Sequence, residues 1–148
     1  MPKKSPGHDM EKLESGRCLC NGIRYSFARK AVLSAHHCHC DDCKKSTGSG
    51  KATILLLPEQ ALKLEGQVKF YTVVGSAGSH VTRGFCPQCG SPLVSFVKEA
   101  AEIRFVKAGS LDDSSWVRID SSYWQQSATE WSPIDNSIPC YKGNPEPA

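Results

Sequence analysis

The cysteines constrain this sequence more than any other feature, because seven of the eight stand in three tight clusters. The clusters are Cys18 with Cys20, Cys38 with Cys40 and Cys43, and Cys86 with Cys89. Such short spacings bring thiol groups together around one ion, whereas disulfide frameworks spread their cysteines along the chain. The pattern therefore favours metal binding over disulfides.

The length and the ends of the chain bound its organisation. The chain has 148 residues, which suits one domain with a single core. We expect a flexible N-terminal tail over residues 1–13, a metal-binding domain over 14–141 and a C-terminal tail over 142–148. No apolar run approaches the roughly 20 residues that span a bilayer, and the N-terminus lacks the apolar segment of a secretory signal. These features predict a cytoplasmic protein, whose reducing surroundings also disfavour structural disulfides.

Short strands separated by turn residues recur along the sequence. Asn21 and Gly22 predict a two-residue hairpin turn, after which Ile23, Tyr25 and Phe27 alternate with polar residues as in a half-buried strand. The C-terminal third is polar and predicts irregular chain or short strands laid over the core. The expected fold class is therefore all-β, with at most short helical turns.

Two of the clusters supply two ligands each. The segment CPQCG, with Cys86 and Cys89, has the form of a zinc knuckle, in which Gly90 permits a left-handed turn. A knuckle needs two further ligands, and Cys18 with Cys20 is the other two-ligand group. Together they predict a closed, structural four-cysteine zinc site.

The middle cluster, CHCDDCKKSTG, supplies three ligands and leaves one position open. Three protein ligands with one vacancy are typical of a catalytic zinc site. Three thiolates also make a soft site of net negative charge, which should accept an exogenous thiol as its thiolate. A helical turn is expected over residues 41–46, with Gly48 beyond its end. The residues therefore point to chemistry on a small thiol.

Other residues of the chain could instead close this second site. The candidates for a fourth ligand are His36, His37, His39 and Cys140. His39 stands between two ligand cysteines, so its side chain is expected to point away from the ion. Cys140 is more simply interpreted as a small buried or surface thiol.

The charge of the chain gives little support to a nucleic-acid partner. The formal net charge is +3, which alone would suggest a polyanion. Seven thiolates and two Zn²⁺ ions bring this sum to zero. The chain also has no basic stripe with interleaved aromatic residues, so an interaction module for nucleic acid is disfavoured.

Three motifs in order resemble one known family. The segments GRCLCNGIRYSF, HCHCDDCKKSTGS and GFCPQCGSPL resemble the glutathione-dependent formaldehyde-activating enzyme and centromere protein V family, over about residues 14 to 140. The resemblance implies a small tent of antiparallel sheets with two Zn²⁺ ions per chain. It implies a structural zinc on the first and last cysteine pairs, and a catalytic or labile zinc on Cys38, Cys40 and Cys43.

The resemblance also implies an activity. The family forms and cleaves the carbon–sulfur bond between glutathione and formaldehyde, so we expect a zinc-dependent carbon–sulfur lyase acting on a glutathione-type thiol and a small aldehyde. Lys44, His80 and Arg83 are the candidates for binding substrate, either as a donor to the developing alkoxide or as partners of a glutathione carboxylate. The alternative is a non-catalytic carrier that only binds the thiol or zinc.

One segment departs from the family pattern. Many relatives carry a His-Ile-aromatic segment followed by a Lys shortly before a Trp. Counting back from Trp131, this chain has Ser122-Tyr123-Trp124 and Ala128 instead. If these residues bind glutathione in the family, the departure predicts that this chain prefers another thiol.

Overall fold

A computed structural model describes residues 12–75 and 77–145. Most of the predicted N-terminal tail and the last three residues of the predicted C-terminal tail lie outside this part of the chain. The described residues form ten strands, one α-helix and five single 3₁₀ turns. The bounds are β1 Leu13–Arg17, β2 Arg24–Ala28, β3 Ser34–Cys38, α1 Asp41–Thr47, β4 Ala52–Pro58, β5 Lys63–Glu65, β6 Lys69–Val74, β7 His80–Phe85, β8 Pro92–Val97, β9 Ile103–Lys107 and β10 Ser121–Tyr123.

The strands form two sheets. The small sheet has the order β1-β2-β5, and the large sheet has the order β10-β3-β4-β9-β8-β7-β6. All pairings are antiparallel except that of β10, which runs parallel to β3. The all-β prediction is therefore confirmed. Within the described residues, no helix has the length and apolar character needed to cross a membrane.

The main core lies between the two sheets. The large sheet contributes Leu55 and Val106, which are fully buried, and the small sheet contributes Phe27. Because side chains alternate between the faces of a strand, the predicted alternation of Ile23, Tyr25 and Phe27 directs all three inward, and all three are buried. Burying each such large side chain contributes roughly 1.5–3 kcal/mol.

A second, smaller cluster lies on the opposite face of the large sheet. Cys38, Ala52 and Ile54 occupy alternate positions of β3 and β4 and pack there with Cys43. Phe105 of β9 also packs against this cluster. The middle cysteine cluster is therefore built on the face of the sheet that the main core leaves uncovered.

The turn between β1 and β2 differs from the prediction. The amide of Asn21 donates to the carbonyl of Cys18 at 3.1 Å, and the amide of Cys18 donates to the carbonyl of Ile23 at 3.0 Å. The turn thus closes over Cys18–Asn21 rather than at Asn21 and Gly22 alone. Asn21 still adopts the left-handed conformation, with φ 71°. This wider turn leaves room for the sulfurs of Cys18 and Cys20 to face the same point.

Gly66 holds the β5–β6 connection against this turn. Its φ is +101°, and a Cβ there would collide with the backbone carbonyl of Gly22. We expect Gly66→Ala to lower the free energy of unfolding by about 2–4 kcal/mol, since a left-handed non-glycine residue and a backbone collision each cost energy. Urea denaturation of the zinc-loaded protein measures this loss. Gly78→Ala is the matched control, because Gly78 has φ +88° and open space around it. Equal losses in both variants would show that the collision has no effect.

Candidate metal centres and cleft

The first candidate centre joins the β1–β2 turn to the turn after β7. The Sγ atoms of Cys18, Cys20, Cys86 and Cys89 all lie within 4.8 Å of one another. The Sγ of Cys20 is 3.6 Å from that of Cys18 and 3.6 Å from that of Cys86. Sulfurs placed about 2.3 Å from a tetrahedral zinc ion would be roughly 3.8 Å apart. The four thiols therefore fit a tetrahedral ion, as the sequence predicted.

Backbone and hydroxyl donors surround these sulfurs. The amide of Ile23 donates to Cys18 Sγ at 3.2 Å, and the amide of Gln88 donates to Cys86 Sγ at 3.4 Å. Hydrogen bonds from the side chain and the backbone of Ser91 lower the pKa of the Cys89 thiol to about 5. Such bonds favour thiolate, which is the form that binds a metal ion.

The second candidate centre is built by the end of β3 and the start of α1. Cys38 is the last residue of β3, Cys40 is the N-cap of α1, and Cys43 lies in the first turn of the helix. The Sγ of Cys40 caps the helix by accepting a hydrogen bond from the Cys43 amide at 3.3 Å. The expected helical turn is confirmed, and Gly48 ends it in the left-handed conformation.

The three sulfurs of this triplet lie within 4.8 Å of one another. Among residues 12–75 and 77–145, no histidine, cysteine or carboxylate joins them as a fourth member of the group. Each cysteine cluster can therefore hold a metal ion, the first with four protein donors and the second with three.

The residues considered as a fourth ligand have other surroundings. His36 bonds Ser121 Oγ and Ser34 Oγ through its two ring nitrogens, both at 2.7 Å. His37 Nδ1 is 2.8 Å from the hydroxyl of Thr53. The Cys140 thiol donates to the Ile138 carbonyl at 3.3 Å.

His39 is fully buried, and the structure does not bring it into the group of sulfurs. This agrees with the expectation that its side chain points away.

Positive charge lies next to the triplet. The pKa of Cys43 is lowered to about 2, chiefly by hydrogen bonds from the thiols of Cys38 and Cys40 and further by the charges of Lys107 and Arg83. The Nη2 atom of Arg83 lies 3.9 Å from Cys43 Sγ. The structure thus places one of the predicted substrate-binding residues, Arg83, directly beside a predicted ligand.

The other two predicted substrate-binding residues have partners of their own. Lys44 donates to the carbonyl of Ser127 at 2.6 Å, and this bond joins α1 to the C-terminal segment. Lys44 Nζ also lies 3.2 Å from the carboxylate of Asp41 within α1. His80 is half-exposed and lies 3.0 Å from the carboxylate of Glu99. Binding of substrate by Lys44 and His80 remains a prediction.

Lys107 is a neighbour of the triplet that the sequence interpretation missed. It ends β9, and its Nζ donates to Ser95 Oγ at 2.9 Å. Surrounding protein lowers the pKa of this ammonium to about 8, although part of the side chain still meets solvent. Strand alternation could have placed Lys107 and Phe105 on one face, but no motif singled out the lysine.

A cleft of about 680 Å³ opens beside the four-cysteine cluster, and none of the three triplet cysteines is among the residues that line it. Cys18, Leu19 and Ser91 line it on the side of the four-cysteine cluster, whereas Thr47 and Ala52 line it on the side of the triplet. Its charged lining residues are Arg17, Lys51, Lys107 and Asp112. The excess of cations makes the cleft suited to an anionic ligand.

The C-terminal segment with Tyr123 and Trp124 packs beside the triplet. Tyr123 pairs with Cys38 across the parallel strands and stacks on His36 with ring centroids 4.5 Å apart. Tyr123 and Trp124 are both partly buried against the cluster that contains Cys38 and Cys43. Tyr123 and Trp124 therefore form part of the surroundings of the candidate site.

Comparisons with known proteins place the chain in a family. The sequence profile described as glutathione-dependent formaldehyde-activating enzyme matches residues 13–127. No curated protein matches the chain in sequence. A Rhodobacter sphaeroides protein, solved by crystallography as a Northeast Structural Genomics target, is similar in fold, with a TM-score of 0.52 and 18% identity. That alignment covers 66% of this chain and 87% of the other. With its profile match spanning most of the chain and both cysteine groups, the protein belongs to the glutathione-dependent formaldehyde-activating enzyme family.

Proposed function

We propose that this protein is a zinc-dependent carbon–sulfur lyase that forms and cleaves the adduct of a glutathione-type thiol with formaldehyde or a related small aldehyde. The observation that carries the proposal is the triplet, which offers three clustered sulfurs and no fourth protein donor within the described residues. Three protein ligands are typical of catalytic zinc, whereas the four-cysteine cluster is typical of structural zinc.

The donor chemistry supports zinc at both centres. Clustered thiolates select soft or borderline ions, and the sulfur separations of the first cluster suit tetrahedral zinc. We propose two Zn²⁺ ions per chain, held by Cys18, Cys20, Cys86 and Cys89 and by Cys38, Cys40 and Cys43. When bound, zinc supplies positive charge that favours the thiolate form of a thiol beside the triplet.

The chain's own residues prepare the site for an anionic thiol. Arg83, whose Nη2 lies 3.9 Å from Cys43 Sγ, offsets negative charge on that sulfur. Arg17 and Lys51 line the adjoining cleft and can hold the carboxylates that glutathione carries. Asp112 lies 3.9 Å from Arg17 at the wall of the cleft. Ala52 lines this cleft and packs with Cys38 and Cys43, so a thiol held in the cleft would lie beside the triplet.

The decisive experiment measures exchange between formaldehyde plus glutathione and their adduct by NMR exchange spectroscopy. Zinc-loaded protein, protein stripped of zinc and buffer alone are compared at equal thiol concentration. We expect acceleration with the zinc-loaded protein only. Saturable glutathione binding without acceleration would instead support the non-catalytic carrier and overturn the lyase.

A further inference from the structure

We propose that Lys107 is a catalytic residue, whose ammonium holds the aldehyde oxygen while the carbon–sulfur bond forms. This inference rests on the proposed function and assigns a role that the sequence motifs do not mark. Lys107 lines the cleft and lies on the face of the large sheet that carries the triplet.

The sheet places Lys107 on the same face as the triplet. Lys107 is opposite Ile54 in the β4–β9 register, and Ile54 packs with Cys38 and Cys43. Because alternate residues of a strand share a face, Lys107 and Phe105 both point away from the main core.

Ser95 fixes the direction of the ammonium. Its side chain lies on β8, it is 3% exposed, and its Oγ accepts from Lys107 Nζ at 2.9 Å. An ammonium group has three N–H donors, so this bond leaves two for other partners. Since Lys107 also lines the cleft, those donors are available to a ligand that enters it.

Arg83 and Lys107 have different surroundings although both are cations beside the triplet. Arg83 directs Nη2 towards the Cys43 sulfur at 3.9 Å, so it supports the ligand set. Lys107 has its hydrogen bond with a neutral hydroxyl and lies in the wall of the cleft. The cation placed to meet a substrate oxygen is therefore Lys107.

The chemical step balances without any further reactant. The thiol gives its proton to solvent, and the thiolate sulfur pair forms the bond to the aldehyde carbon. The carbonyl π pair then becomes an alkoxide lone pair, which the Lys107 ammonium stabilises by hydrogen bonding. A proton from solvent completes the hydroxymethyl thioether, and cleavage follows the same path in reverse.

The test compares Lys107→Met and Lys107→Arg with the wild type in the NMR exchange assay. Removing one donor to a developing oxyanion costs about 100- to 1,000-fold in the catalysed rate. We expect Lys107→Met to lose about 100-fold in the rate at saturating glutathione, and Lys107→Arg to recover part of this loss. Lys30→Met is the matched control, because Lys30 is exposed and outside the cleft.

Three further readouts separate catalysis from a structural role. Zinc per chain, the melting temperature and calorimetric glutathione binding are expected to stay near wild-type values in Lys107→Met. Ser95→Ala is expected to slow exchange less than Lys107→Met, with the same zinc content, because Ser95 only positions the ammonium. If Lys107→Met does not fold, the exchange rates of Lys107→Arg and Ser95→Ala test the catalytic role of Lys107 instead. Wild-type exchange rates in both variants would overturn that role.

The exchange assay distinguishes failure of the proposed lyase function from failure of the proposed role of Lys107. No acceleration by the zinc-loaded wild type overturns the proposed function, and the role of Lys107 with it. If Lys107→Met accelerates exchange as much as the wild type does, only the role of Lys107 is overturned and the proposed function stands. Loss of zinc or of glutathione binding in proportion to the lost rate also overturns it, since Lys107 would then only neutralise the cysteine sulfurs.

Discussion

Replacing Cys86 with serine is expected to leave the chain unfolded at 25 °C, even with zinc present. Cys86 is 2% exposed and its sulfur is 3.6 Å from that of Cys20, so it belongs to the closed four-cysteine cluster. A serine hydroxyl does not ionise at neutral pH and is a poor replacement for thiolate. Structural zinc contributes about 10–16 kcal/mol of apparent binding free energy in small domains, which is as large as the whole stability of a typical domain.

Far-UV circular dichroism against temperature and zinc per chain measure this effect. Cys140→Ser is the matched control, because Cys140 is outside both clusters and should keep its zinc and its melting temperature. A Cys86→Ser protein that melts within a few degrees of the wild type would show that the first cluster does not stabilise the fold.

The Cys43→Ser variant is expected to lose all acceleration of adduct exchange while it stays folded. Cys43 lies on the short helix α1 and packs in the smaller cluster, whereas the main core is formed elsewhere by both sheets. The variant should therefore bind one zinc ion per chain instead of two. Its melting temperature should fall far less than that of Cys86→Ser.

The same NMR assay and zinc analysis apply, again with Cys140→Ser as the control. Full acceleration in a Cys43→Ser protein that has lost the second zinc would rule out a role for that ion. Loss of folding in Cys43→Ser would show that the triplet is structural. The contrast between the two cysteine variants thus tests the division of the clusters into a structural and a catalytic centre.

The sequence predicted the cysteine groups well because their chemistry depends on short spacings. Ligands two or three residues apart can converge through one turn, so each cluster could be recognised without knowledge of the fold. Joining Cys18 and Cys20 to Cys86 and Cys89 required only the count of ligands that a closed site needs. The grouping of the sulfurs is confirmed, while the identity and number of the bound ions remain predictions.

Contacts between residues far apart in the sequence were harder to predict than the cysteine groups. The strand Ser121–Tyr123 has three residues and no apolar alternation, so its parallel pairing with β3 had no local signal. No motif marks Lys107 in the sequence, and only the pairing of β9 with β4 brings it near the triplet. The turn at Cys18–Asn21 was missed because the geometry of the sulfurs outweighed the usual preference of Asn-Gly.

The four-cysteine cluster also has a consequence for how the chain folds. It joins sulfurs 66 positions apart in sequence, so its loop-closure entropy costs roughly 4 kcal/mol before any ligand bond forms. During synthesis, the first pair of thiols emerges well before Cys86 and Cys89. Until the later turn arrives, those thiols can only bind zinc incompletely, and they are open to oxidation. With zinc as the proposed ion, we expect maturation of this protein to depend on zinc supply and reducing conditions while the chain is being made, and the yield of folded protein should reflect both.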